Sequence, residues 1–258
     1  MSTFAKAPKL ENARPKRAGH AAGLVRLERR LLLRQGLSLG ALTLLTGCNL
    51  SDGDTVDRVL WAMSRWNDRV QAALFNPNRL APTYPESAIT KPFPFNAYYP
   101  ESQVRTVDTG AWRLELSGLI ADKRPWSLAQ LRALPQASQI TRHVCVEGWS
   151  AIGQWRGVPM RTFLERIGAD TSARYVWFRC FDDYYSSIDM ATALHPQTIL
   201  ALDYGNAPLP PKYGSPLKLR VPTKLGFKNP KHIAALYVTN DYPGGYWEDQ
   251  GYNWFSGS

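Results

Sequence analysis

The chain has 258 residues, 44% apolar and 20% charged, with 31 Lys+Arg against 21 Asp+Glu and a formal net charge of +10. That length buries a real core in one large domain or two small ones, and the composition excludes general disorder. Three cysteines exclude a disulfide scaffold, and without CxxC or HExxH a structural zinc site has no support.

The charge is unevenly placed. Residues 1–47 hold nine basic side chains against Glu11 and Glu28, so +7 of the +10 lies there and the remainder carries only +3. This argues against nucleic acid as a partner, which the total would otherwise suggest. Arg29-Arg30 precedes a moderately apolar run from Leu37 to Leu45, too short to cross a bilayer of about 30 Å. Paired arginines ahead of a weak apolar core resemble a twin-arginine signal, the route for proteins exported already folded. Leu45-Thr46-Gly47-Cys48 resembles a bacterial lipobox. It predicts a periplasmic or cell-envelope protein, lipid-anchored through an acylated Cys48 rather than membrane-spanning. An ordinary signal with a chance cysteine is the alternative. The chain thus divides into a signal over 1–47, a helix and linker over 48–84, and a domain over 85–258.

From Asp54 to Phe75 the residues Val56, Val59, Leu60, Met63, Val70 and Leu74 recur at helical spacing, with Trp61 and Trp66 widening the face of one amphipathic helix. Residues 76–100 carry six prolines and read as an extended arm across the domain. Trp112 to Gly118 alternates as a half-buried strand. Ser127 caps a short helix through Leu134, residues 139–146 form a strand, and Pro159 to Ile167 a helix closed by Gly168. Further strands run from Arg174 to Cys180, along Leu217, Leu219 and Val221, and from Ala235 to Thr239. Many strands with few short helices predict a β-rich, mixed α+β domain.

Cys145 ends an apolar strand where Glu147, Gly148 and Trp149 break the pattern. A thiol at such a position faces a pocket, and Arg142 and His143 would lower its pKa; a buried structural cysteine is the alternative. Cys180 ends another strand and belongs to the core or to the same pocket. Neither cysteine has sequence-local metal partners. His143, His195 and His232 are candidate bases for a thiol nucleophile. Between Tyr204 and Asn240 there is no acid, yet Lys212, Lys218, Arg220, Lys224, Lys228 and Lys231 all lie there. The Gly- and Pro-broken loop from Lys224 to Lys231 offers ammonium groups and backbone N–H donors to a phosphate, or else is a solvated basic face.

Together, Phe95-Asn-Ala-Tyr-Tyr99, Leu116-Ser-Gly-Leu119 with Trp126-Ser-Leu, Cys145-Val-Glu-Gly-Trp149, Tyr213-Gly-Ser-Pro-Leu-Lys218 and Lys224 through Lys231 resemble the sulfite oxidase family of molybdopterin enzymes. The resemblance covers residues 85–258. Within the family the chain is most similar to the periplasmic methionine-sulfoxide reductase catalytic subunits. It implies that Cys145 ligates molybdenum and that Asn96, Tyr98 and Tyr99 line a molybdenum–molybdopterin cofactor. It further implies that Cys180 touches the pterin, that Tyr213 and Lys218 reach the cofactor, and that Asn229, Pro230 and Lys231 hold its phosphate. Lys218 stands where relatives have arginine, so a bidentate phosphate contact becomes a point charge; Cys180 and Tyr213 also depart from the expected residue types. The Cys-x-Gly-Asn-Arg-Arg pattern of sulfite oxidases is absent.

The expected activity is oxo transfer at molybdenum, as sulfoxide reduction or sulfite-like oxidation, with the missing signature favouring reduction. Its partners would be a small oxo donor or acceptor and a separate electron carrier such as a membrane haem protein. The alternatives are a cofactor-free, aromatic-rich lipoprotein acting as a binding module, and a thiol hydrolase.

Overall fold

The computed structural model describes residues 53–76 and 78–258; the predicted export signal, the lipobox and Cys48 lie outside them. Two units divide the chain, Met1–Leu60 and Trp61–Ser258, and the division falls inside the first helix, α1 (Gly53–Leu74). Within the second unit α1 is tied down by Asp68, whose carboxylate accepts from Asn253 Nδ2 at 2.7 Å and the Phe255 N–H at 2.9 Å. Phe75 then packs edge-on to Phe255, centroids 5.4 Å apart. Trp61 and Trp66 are five residues apart, about 140° around a helix, so Trp61 does not widen the face that carries Trp66.

Two five-stranded sheets make up the domain. The first contains β1 (Arg113–Gly118), β2 (Trp126–Ser127), β5 (Tyr175–Cys180), β6 (Tyr185–Asp189) and β10 (Ile233–Thr239), in the order β2-β1-β10-β5-β6. Only β1 and β10 run parallel, with Leu116 opposite Leu236. The second contains β3 (Ala137–Val144), β4 (Ser150–Pro159), β7 (Ile199–Tyr204), β8 (Ala207–Pro208) and β9 (Lys218–Arg220). It runs β3-β4-β7-β8, with β9 also paired to β7.

Three short helices punctuate the strands. In α2 (Leu128–Arg132) Ser127 and Gln130 form the reciprocal capping box that the sequence anticipates in part. The helix α3 (Met160–Arg166) is closed by Gly168 at φ +62, and α4 (Met190–Ala193) is capped by Asp189. Phe163, Leu164 and Ile167 from the α3 region join Leu114, Phe178, Leu219 and Leu236 in one core. Each such side chain contributes roughly 1.5–3 kcal/mol by leaving water.

A second, aromatic cluster positions the site. Phe93 of the proline-rich arm meets Trp155, Tyr204 and Tyr213 edge-on at 5.4, 5.6 and 5.6 Å. Such contacts add about 0.5–1.5 kcal/mol each beyond burial. The arm runs over β3 and β4: the Tyr84 N–H donates to Ile140 O at 3.0 Å, and the Thr90 N–H to Ile152 O at 2.9 Å. Strand β4 carries no clean apolar alternation because glycine is required in it. A Cβ at Gly157 would sit 2.0 Å from Leu200 O across the β4–β7 bulge.

Candidate cofactor site

Strand β3 ends at Val144, and the next five residues reverse direction. The Cys145 N–H donates to Trp149 O at 2.9 Å and the Gly148 N–H to Cys145 O at 3.2 Å, with Gly148 at φ +90. The turn presents the Cys145 sulfur to a cleft also lined by Asn96, Tyr98, Glu147, Asp182 and Lys231. Asn96 Nδ2 donates to Sγ at 3.3 Å, and Sγ lies 3.7 Å from Glu147 Oε2, an oxygen that also accepts from Trp149 Nε1 at 2.9 Å.

The expected lowering of the Cys145 pKa does not occur in the protein alone. Burial pushes the thiol up, and the Glu147 N–H and Asn96 amide only partly oppose it. His143 is buried and held neutral, first by desolvation and then by the charges of Arg220, Lys218 and Lys231. Arg142 points away, over the Tyr84 ring. Nor is any histidine a base for this thiol. His143 Nδ1 faces Arg220 Nη1 at 3.4 Å, His195 Nε2 lies 3.1 Å from Arg79 O, and His232 Nδ1 lies 2.7 Å from Ser215 O.

A second cleft shares Asn96 and Lys231 with the first and adds Phe93, His143, Tyr213 and Lys218. Lys218, Arg220 and Lys231 are all buried, and among the described residues none makes an ion pair. Lys218 Nζ donates to Asn229 O at 3.2 Å, and Lys231 Nζ to Lys212 O at 3.3 Å. Arg220 donates to Asn229 Oδ1, Thr141 Oγ1 and Arg142 O at 3.1, 3.1 and 2.6 Å. Its Nε has no partner, and neither do His143 Nε2 or His232 Nε2. Burial pulls Lys218 well below the usual lysine range and Lys231 down to about 8. Lys218 and Lys231 feel the Asp182 charge without pairing with it, Arg220 has burial as its sole perturbation, and an anion beside the three offsets the cost of burying them.

The other basic residues of this stretch do not serve as expected. Lys224 is buried, donates to Phe255 O at 2.8 Å and lies 3.6 Å from Asp189 Oδ2; Lys228 forms a buried ion pair with Glu248. Lys212 reaches Glu101 at 3.4 Å. Their acids come from outside Tyr204–Asn240, so the acid-free sequence window overstated the free charge. The supposed polar face of β9 is likewise interior: Lys218 and Arg220 are as buried as Leu217, Leu219 and Val221.

The other predicted residues have their own partners near these groups. Tyr98 donates its hydroxyl to Asp182 O, and Tyr99 donates to Asp182 Oδ2 at 2.9 Å. Burial first, then the Asp182 charge, raises the pKa of both phenols, so they remain protonated donors. Asn229 and Pro230 line the first cleft, but the Asn229 side chain is engaged internally by Arg220, the Val221 N–H and Leu225 O. Tyr213 lines the second cleft and donates its hydroxyl to Phe93 O at 2.8 Å. Cys180 lines neither cleft; it is buried beside Asp182, Lys218 and Lys231, and burial drives its thiol well up. Asp182 and Glu147 line the first cleft although the sequence marks neither as a site group, whereas His143, a candidate base, and Arg220, of the basic stretch, take up places other than those expected. The one local signal was Asp182-Asp183 directly after the Cys180 strand.

A soft sulfur in the first cleft, Lys231 lining both clefts, Lys218 in the second and Arg220 bonded to Asn229 of the first fit an elongated cofactor with a metal head and a phosphate tail. Gly226 completes the cradle, since a Cβ there would sit 2.6 Å from the unpartnered His143 Nε2. Among the described residues no cluster of three His, Cys, Asp or Glu could hold a metal by itself, so a metal on Cys145 would take its other ligands from the cofactor. Fold and site together define a molybdopterin-binding oxidoreductase.

The oxidoreductase molybdopterin binding domain family matches residues 101–247, more than half of the chain. The chain belongs to this family, and molybdenum–molybdopterin is its cofactor. It is 64% identical over 230 residues to a putative protein-methionine-sulfoxide reductase subunit YedZ1 of Azospira oryzae, covering 89% of this chain and 88% of that one. It is 31% identical to the protein-methionine-sulfoxide reductase catalytic subunit MsrP of Xanthomonas campestris, over 58% of this chain and 52% of that one. For MsrP of Campylobacter jejuni the figures are 29%, 57% and 55%, so the chain spans about half the length of these MsrP relatives. The sulfane dehydrogenase SoxCD from Paracoccus pantotrophus shares the fold, with TM-score 0.50 and 16% identity over 54% of this chain and 40% of that one. The β-rich α+β expectation therefore holds, and no finding supports a cofactor-free binding module.

Proposed function

We propose that this chain is the catalytic subunit of an exported methionine-sulfoxide reductase. The 64% identity over nearly the whole of a putative methionine-sulfoxide reductase subunit carries this reading. Bound molybdopterin supplies two-electron oxygen-atom exchange at molybdenum. The net reaction takes a sulfoxide, two electrons and two protons to a thioether and water.

The chain's own residues hold and shape the site. Cys145 is the protein's ligand to the metal, a role for which its thiol must lose the proton that burial favours. Lys218, Arg220 and Lys231 receive the phosphate, which supplies the ion pair that each lacks in the protein alone. Asn96 orients the sulfur from the arm side. Tyr98, bonded to Asp182 O, forms part of one wall of the first cleft, and Tyr99 holds the Asp182 carboxylate beside it.

The electrons come from a separate carrier, such as a membrane haem protein, a reading supported by the naming of the relatives as reductase subunits. Arg29-Arg30 and the Leu45–Cys48 segment support twin-arginine export to the periplasm and acylation of Cys48. Among the described residues no helix is long and apolar enough to cross a membrane.

The test is purified, metal-loaded protein assayed with methionine sulfoxide under a reducing dye, and with sulfite under an oxidising one. Turnover of the sulfoxide alone is expected; turnover of sulfite alone would overturn the reading. Mass spectrometry of the membrane fraction should find a mature chain that starts at lipidated Cys48, and an unmodified start beyond it would refute the anchor.

A further inference from the structure

Helix α1 is turned the wrong way round for a helix that packs on a core. At 3.6 residues per turn, Val59, Met63, Trp66, Val70 and Leu74 share one face, while Ser64, Asp68 and Gln71 lie opposite. The polar face is the one that meets the domain, through Asp68 to Asn253 and the Phe255 N–H. The apolar face points outward: Met63 is 62% exposed, Trp66 66% and Leu74 81%. A surface helix of a globular protein normally does the reverse, and a contiguous outward apolar stripe marks an interaction surface.

We propose that this face of α1 lies on a lipid bilayer with anionic headgroups, with Met63, Trp66 and Leu74 sunk at the headgroup–acyl boundary. Two further features favour a bilayer over a protein partner. Exposed Arg69 stands along one border of the apolar face, where it meets lipid phosphates, while its neighbour Arg65 lies over the Tyr242 ring of the domain. The chain ahead of the helix is also short: Cys48 precedes Gly53 by five residues, a reach of at most about 18 Å. An acyl group on Cys48 would therefore hold α1 at the membrane surface. This last point rests on the acylation proposed above; the first two do not, and the enzymatic reading is independent of all three.

The experiment uses the full-length holoprotein, both as it stands and with Cys48→Ser, mixed with vesicles of phosphatidylcholine and about 30% phosphatidylglycerol carrying brominated acyl chains. The emission difference between wild type and Trp66→Phe isolates Trp66. That component should fall at least about twofold on brominated vesicles. In the Cys48→Ser background, Met63→Ser with Leu74→Ser should lower the vesicle-bound fraction about tenfold, with molybdenum content and turnover unchanged. Trp66 emission indifferent to brominated lipid in vesicle-bound protein would overturn the proposal. So would binding that the double substitution leaves intact, or a face that forms dimers in solution and ignores vesicles.

Discussion

Asn96 donates its side-chain amide to the sulfur of Cys145 at 3.3 Å, joining a proline-rich arm to a strand-end turn 49 residues away. The bond favours the thiolate, while burial opposes it. In Asn96→Ala, thiol alkylation of the cofactor-free protein should shift to higher pH, and turnover of the loaded enzyme should drop about 10–100-fold, as when a group supporting a metal ligand is lost. An alkylation profile that stays in place would show the contact to be idle.

Cys145→Ser replaces the soft ligand with a hard hydroxyl of similar size. Turnover should fall to below about 1% of wild type, since oxygen suits this metal's thiolate position poorly. The melting temperature of the cofactor-free protein should move by no more than a few degrees, because the volume is conserved. Activity assays and calorimetry on one preparation check both halves.

Lys218 and Lys231 are proposed to face the cofactor's phosphate. Lys218→Met should lower bound pterin, measured by fluorescence after denaturation, by about tenfold, the loss of one charge-assisted contact. Lys218→Arg should retain pterin, because the guanidinium offers a bidentate contact there. Lys224→Met should leave pterin content alone, since its ammonium is directed to Phe255 O and Asp189.

The same lysines make stability depend on pH. Lys231 titrates at about 8 and Lys224 at about 7 in the folded chain, both lowered first by burial from an ordinary value of 10.5. Between these values and 10.5 the unfolded chain binds protons that the folded one does not, so stability rises with pH. The slope is up to about 1.4 kcal/mol per pH unit for each group. Cofactor-free protein should therefore melt higher at pH 9 than at pH 7. Loading should flatten the trend, because a phosphate raises Lys231 again. Near pH 10 the rise should end, as buried phenols such as Tyr204, pushed up to about 12, contribute with the opposite sign.

Lys228 and Glu248 form a buried ion pair that takes no part in the proposed phosphate contacts. Lys228→Met alone strands a buried carboxylate, one of whose oxygens already lacks a partner, and should cost about 3–5 kcal/mol. Lys228→Met with Glu248→Leu should recover most of that loss in denaturant titration, because two apolar side chains leave no charge uncompensated.

Local pattern carried much of the fold. The capping box at Ser127, the Gly168 stop and the strands around Leu114, Phe178 and Leu236 all follow from short-range spacing and show plainly in the chain. Strand β4 did not, since Gly153 and Gly157 interrupt its alternation for the sake of backbone and aromatic neighbours distant in sequence. The outward turn of α1 was equally hidden, because amphipathicity says that two faces differ and not which one meets the domain.

What the sequence determined by itself was the family, through the Cys145-Val-Glu-Gly-Trp149 motif and the basic segments in order, and the concentration of +7 of the +10 charge in residues 1–47. Both are one-dimensional properties. Only the tertiary structure decided which cations stay free. Lys224, Lys228 and Lys212 take acids from Asp189, Glu248 and Glu101, whereas Lys218, Arg220 and Lys231 find none. Ion pairing acts over a few ångströms in space, so a charge's partner is set by the fold's long-range contacts and not by its neighbours in the chain.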